Sequence, residues 1–211
     1  MKQKRIYTVI IGDIVESRKI ENREKVQKKL KSVLNSANSI FKKHIEVDFS
    51  ITLGDEFQGL LKDLSVSYRI IKYFEKNLYP LKARFGVGIG ALSTPISKNI
   101  GEIDGECFIK AREAINEAKK NDRFVIYKLG IDEKDMIINT ILMLIEAIKT
   151  SWKEIHLRRI WLYEKLGTYE KVAKKEKISK QMVSKMFKRV HYDEVKKAEE
   201  VIIYLLNSLK N

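Results

Sequence analysis

In VDFSITLGDEFQGLL (Val47 to Leu61), the apolar residues Val47, Phe49, Ile51 and Leu53 alternate with Asp48, Ser50 and Thr52. A period of two predicts a half-buried strand. Gly54-Asp55 fits a two-residue hairpin turn, and a second strand resumes at Phe57. Two antiparallel strands thus carry two carboxylates, Asp55 and Glu56, at their joined end.

Upstream, Ile6 to Ile11 is almost continuously apolar and β-branched or aromatic, which suits a central strand covered on both faces, and Asp13 sits just past its end. Between Asn22 and Lys43 the spacing of Val26, Leu30, Val33, Leu34, Ala37, Ile40 and Phe41 predicts an amphipathic helix. Downstream, a second helix is expected from about Ser65 to Leu78, with Ile70, Ile71 and Phe74 buried. In LKARFGVGIGALST, Ala83, Phe85, Val87, Ile89 and Ala91 form one strand face, whereas Arg84, Gly86, Gly88 and Gly90 form the other. Glycines at mid-strand mark close approach of another backbone or of a ligand, and a packed helix is the commoner cause. This G-x-G-x-G text lacks G-K-[ST] and opens no helix directly, so it is not a phosphate loop.

A third helix, ECFIKAREAINEAKK, and a last strand at Arg123 to Tyr127 complete the order β-α-β-β-α-β-α-β. With helices on one face of the sheet, that is a ferredoxin-like, palm type of α+β domain over residues 1–130. Residues 131–211 read as wholly helical, beginning with the apolar stripe Ile137, Ile141, Leu144, Ile145, Ile148, Trp152 and Ile155.

Within the helical part, TYEKVAKKEKISKQMVSKMFKRV fits a helix-turn-helix. Val172 and Ala173 pack the first helix, Ile178 fills the turn, Ser179 caps the second helix, and Val183 and Met186 anchor it. An unrelated helical hairpin shares these apolar positions. The surrounding lysines outnumber Glu170 and Glu176, which favours a phosphate backbone as partner. On that reading Lys180, Gln181 and Ser184 reach base edges, Lys174, Lys175 and Arg189 touch phosphates, and Ser179 and Lys185 complete the DNA-binding set. Paired half-sites require a homodimer, and the stripe from Ile137 to Ile155 with Val201, Ile202, Leu205 and Leu206 offers apolar surface for one.

The chain has 211 residues, 44% of them hydrophobic, and a formal net charge of +14. Such a basic balance attracts nucleic acid and phosphorylated ligands, although solvated lysines alone produce the same sum. A single cysteine, Cys107, excludes an internal disulfide and a thiolate-rich zinc site, and a cytoplasmic location without membrane insertion is expected. His44, His156 and His191 lack ligand spacing.

Asp13 and Asp55, on neighbouring strands of a palm, would repel unless a divalent cation lay between them, and a hard oxygen site of few ligands favours magnesium shared with phosphates. Taken singly, either aspartate is equally a turn former. The loop Val15 to Lys19, with Ser17 and Arg18, presents further phosphate-binding groups, as does Gly54 at the hairpin tip.

YTVIIGDIVES, FSITLGDEFQGLL and ARFGVGIGALST together resemble the segment order of class III nucleotidyl cyclases and, more loosely, of GGDEF diguanylate cyclases. Through IGDIVESRKI, LGDEFQGLL, RFGVGIG and GEIDGECFIKAREAI the whole chain resembles the SatD family. The cyclase resemblance implies Asp13 and Asp55 as ligands to Mg or Mn, with the Ile14 carbonyl auxiliary, and Arg112 as the arginine that steadies the phosphates. Phe108 stands where that pattern has a ribose-orienting asparagine, and Glu16-Ser17 where it has an aromatic-threonine pair. The reading that follows is a DNA-binding regulator whose palm binds a metal and a nucleotide-like ligand. Its alternatives are a metal-dependent nucleotidyl cyclase or nucleotidyltransferase, and a palm that is purely structural.

Overall fold

The computed structural model describes residues 5–17 and 22–209. Strands β1 (Ile6–Ile14), β2 (Ile45–Leu53), β3 (Glu56–Leu61), β4 (Ala83–Ala91) and β5 (Val125–Lys128) form one sheet in the order β2-β3-β1-β4-β5. Every neighbouring pair is antiparallel except β4 with β5, which is parallel. Helices α1 (Arg23–Ile40), α2 (Ser67–Leu78) and α3 (Glu106–Lys120) connect them in the expected sequence order.

Central placement explains the burial of β1 and β3. β1 lies between β3 and β4, and its run from Tyr7 to Gly12 is buried throughout. All six residues of β3 are buried as well, whereas the edge strand β2 keeps an alternating pattern over Ile45 to Ser50. Gly54 and Asp55 form the turn between them, and Gly54 adopts a φ of 63°, a conformation that glycine enters without steric cost.

The two faces of the sheet are covered by different helices. Phe85 of β4 stacks on Phe74 of α2, with ring centroids 6.0 Å apart, and Phe74 also meets Phe57 and Phe49 edge to face. α1 packs beside α2 and β2, and its buried residues are Val26, Leu30, Val33, Leu34 and Ala37, with Ile40 exposed. On the opposite face α3 lies directly on the glycines of β4: a Cβ on Gly86 would come within 2.3 Å of the Ile115 nitrogen, and one on Gly88 within 2.2 Å of the Ala111 nitrogen. The expectation of helices on one face only is therefore corrected. Alternation along β4 shows that both faces are buried without saying which helix covers which.

The chain forms two compact units, residues 1–140 with 203–211, and residues 141–202. Helix α4 (Asp132–Lys149) begins in the first. There the Asn139 amide bonds both the N–H and the C=O of Tyr127, each at 2.8 Å, and the Asp135 carboxylate accepts from the N–H groups of Leu129 and Gly130. In the second unit, α5 (Glu154–Leu166), α6 (Tyr169–Glu176), α7 (Lys180–Arg189) and the start of α8 (Tyr192–Ser208) enclose a core of Ile160, Val172, Val183, Met186, Phe187 and Val190. Among the described residues no helix is long and apolar enough to cross a membrane.

Candidate functional site

Strand register brings the carboxylates together. Asp13 pairs directly with Glu56 across β1 and β3, and on its other side with Arg84 of β4. The paired register of β1 with β3 ends at Asp13 and Glu56, and Asp55 follows in the hairpin turn beyond β3. Opposed like charges on one face of a sheet repel. Here α3 supplies a cation to each: Arg112 donates from Nη1 and Nη2 to the two oxygens of Glu56 at 2.6 and 2.7 Å, and the Lys119 ammonium lies 2.9 Å from Asp13 Oδ1. Seven residues separate the two cations on α3, two turns of helix, so they share a face. Arg84 is drawn off to Asp122, with Nη2 at 2.5 Å from Oδ1.

The two pairs differ in strength. Glu56 is largely buried and accepts a parallel pair of charge-assisted bonds, the stronger geometry for an ion pair. Its bonds hold the Arg112 guanidinium above its ordinary range, against the opposing effect of burial and with Asp13 adding to the field. Lys119 makes a single contact from a more mobile side chain. Asp55 is part-exposed at the hairpin tip and carries no ion pair among the described residues.

Beside these charges lies an open cavity of about 350 Å³, lined among others by Ile11 and Gln58 of the sheet, Phe108, Arg112 and Asn116 of α3, and Asp104 ahead of it. Ile11 and Asp13 share one face of β1, and Gln58 and Glu56 share the same face of β3, so the cavity and the charge cluster are continuous. Cys107 is buried against β1 and its thiol is pushed up to about 11 by that burial, which leaves it inert.

Among the described residues no three His, Cys, Asp or Glu side chains are gathered to hold a metal. The donor set of Asp13, Asp55 and the Ile14 carbonyl is all oxygen. It is too small for a closed protein site and suits magnesium or manganese completed by water and ligand phosphates. In that limited sense the residues fit. Ser17 lies in the turn that follows β1, part-exposed, and Gly54 is open at the hairpin tip. Arg18 lies outside the described residues.

The sequence reading noted Glu56 at the hairpin without giving it a role, and it missed Lys119, whose spacing of seven from Arg112 could have placed it. Which helix faces those positions was the missing information.

In the second unit α6 and α7 are joined through Lys177, at φ 54°, and Ser179 caps α7 by accepting from the Met182 N–H at 3.1 Å. Both acids of the segment are engaged: Glu170 pairs with Lys180, and Glu176 Oε2 accepts from Arg158 at 2.7 Å and Arg159 at 3.2 Å. Lys174 and Lys175 sit in the last turn of α6, with Gln181, Ser184, Lys185 and Arg189 along α7. An open cavity of about 460 Å³ between α5 and α7 is lined by Ile155, His156, Arg159, Met182, Lys185 and Arg189, with Met186 at its edge.

Solved structures similar to this chain include guanylyl and adenylyl cyclase domains. One is the guanylate cyclase domain of RhGC from Catenaria anguillulae in complex with GTP, at 17% identity over 55% of this chain and 75% of that one, with a TM-score of 0.42. Another is the non-canonical dimeric guanylyl cyclase domain of the RhoGC fusion protein from the aquatic fungus Blastocladiella emersonii, at 16% identity, 54% and 74% coverage and a TM-score of 0.41. A bacterial light-regulated adenylyl cyclase matches at 15% identity, 59% and 76% coverage and a TM-score of 0.42. No curated protein matches the chain. The expectation of a DNA-binding regulator is corrected by these neighbours, which are cyclases. Locally, Lys180 of the expected DNA-reading set is already paired with Glu170. None of these matches identifies α6 and α7 as a helix-turn-helix. The SatD family model matches residues 7–209, nearly the whole chain, and the protein belongs to the SatD family.

Proposed function

We propose that the sheet-bearing unit is a metal-dependent nucleotidyl cyclase or nucleotidyltransferase site acting on a nucleoside triphosphate. The observation that supports it is the pairing of Asp13 with Glu56 at one end of β1 and β3, met by Lys119 and Arg112 of α3 beside a cavity open to solvent, with Asp55 in the adjoining hairpin turn. Asp13, Asp55 and the Ile14 carbonyl would hold magnesium or manganese, which neutralises phosphate charge and activates a hydroxyl nucleophile. Arg112 is positioned by Glu56, and its remaining N–H groups stabilise charge that develops on the transferring phosphoryl oxygens. Ser17 and the bare backbone at Gly54 would contact phosphates. Phe108 offers the sugar no hydrogen bond, so the amides of Gln58 and Asn116, which line the same cavity, take the orienting role.

The test is incubation of the purified chain with Mn²⁺ and each nucleoside triphosphate. Wild type releases pyrophosphate with one of them, and Asp13→Asn and Asp55→Asn reduce the rate at least about a hundredfold, as loss of a group acting on transition-state charge does. Absence of pyrophosphate and of cyclic product with all four nucleotides, together with no Mn²⁺ binding, overturns the reading.

A further inference from the structure

The Asp13 and Glu56 side chains belong to paired strands, and they are only 17% and 11% exposed, so these two anions are fixed. Their cations are held less firmly, Lys119 being 37% exposed and Arg112 47%. α3 does not depend on either cation for its docking, because Cys107, Ala111, Ala114, Ile115 and Ala118 are completely buried along it. Between the two, Arg112 is tied by a parallel pair of bonds and Lys119 by one. Lys119 is therefore the member of the cluster that can leave.

We propose that the Lys119 ammonium is a resident stand-in for the divalent cation at Asp13, and that its displacement couples cation binding to polyphosphate binding; this rests on the metal-site reading above. A divalent ion arriving at Asp13 competes directly with Lys119, since two cations cannot share one carboxylate oxygen without repulsion. The displaced ammonium swings outward on its four-carbon stem. The Lys119 Cα stands about 10 Å along the helix from that of Arg112, which lines the cavity, and the two long side chains can bend toward each other to grip the two ends of one triphosphate. A polyphosphate that captures Lys119 conversely exposes Asp13 to the metal. Linkage makes the two effects equal in size. With no ligand bound, the same contact keeps the opposed carboxylates neutralised and the sheet end stable.

The exchange predicts opposite signs for two affinities in one variant. Lys119→Met binds bare Mn²⁺ about threefold to fivefold more tightly than wild type, the equivalent of one half-exposed ion pair. It binds ATP that excess Mn²⁺ has fully complexed beforehand about tenfold more weakly, for loss of a charge-assisted contact. Lys119→Arg retains the wild-type order, Asp13→Asn abolishes Mn²⁺ binding in either background, and thermal denaturation confirms that each variant is folded. If Lys119→Met binds bare Mn²⁺ no more tightly, or if both affinities move in the same direction, the exchange is overturned while the metal site stands. If neither wild type nor Lys119→Met binds Mn²⁺, both the exchange and the site fall.

Discussion

Gly88 shows how little space the sheet leaves for side chains under α3. An added Cβ would meet the Ala111 nitrogen at 2.2 Å and the Cys107 oxygen at 2.4 Å, both backbone atoms that cannot rotate away. Gly88→Ala should therefore lift α3 and lower stability by about 3 kcal/mol or more, the upper end of overpacking costs. Gly54→Ala, with nothing within 4 Å but a φ of 63°, should cost only about 1–2 kcal/mol, the penalty of the left-handed backbone. Denaturant unfolding of the two variants ranks them, and equal losses would mean that α3 does not ride on bare backbone. The glycine face was legible in the sequence because residues 86, 88 and 90 alternate with apolar ones. The partners of Asp13 and Glu56 were not, since Arg112 and Lys119 reach them only after α3 has crossed to the face opposite α1 and α2.

Among elements, the entry to α5 contains a titratable joint. The Nδ1 of buried His156 accepts the Lys153 N–H at 3.2 Å, closing the first turn of the helix. Burial lowers the His156 pKa from 6.5, and Arg189, Lys153 and Arg159 lower it further, against a bond to the Ser151 backbone. A histidine whose folded pKa is depressed binds its proton more readily in the unfolded chain. Its native contact is thus fully favourable above pH 6.5, and stability is lost as pH falls from there through the folded pKa. The second unit should accordingly lose protection between pH 7.5 and 5.5 in amide hydrogen exchange. His156→Gln keeps an acceptor at the third position of the helix and removes the titration, so it should flatten that dependence. An unchanged slope in the variant would assign the effect to other groups. At this scale the sequence was informative about order and spacing: the hairpin at Gly54-Asp55, the cap at Ser179, and the stripe of α1 from Val26 to Ala37 appear where spacing sets them. It was silent where burial came from neighbours, as in β3, whose residues are covered on both faces, Phe57 by Phe74 of α2 and Leu60 in the core it shares with α3.

For the molecule as a whole, the apolar surface of α4 and the net charge act in opposite directions on self-association. The sequence stripe anticipated Ile145, which is buried, but the structure buries Ile138 and Leu142 beside it and leaves Met136, Met143 and Leu144 exposed. These three recur at intervals of seven and eight on one side of a single helix, and the homodimer expected from the sequence would have to cover them. Each copy carries a formal charge of +14, so like-charge repulsion resists the pairing and salt relieves it. Association driven by apolar burial should then strengthen as ionic strength rises, the reverse of a contact built on opposite charges. Sedimentation at micromolar concentration should show a dimer whose dissociation constant falls between 50 and 500 mM salt. Met143→Glu with Leu144→Lys should give a monomer without loss of helix content. A wild-type monomer across that range, or a dimer that salt dissolves, would show that this face of α4 is not what brings two chains together.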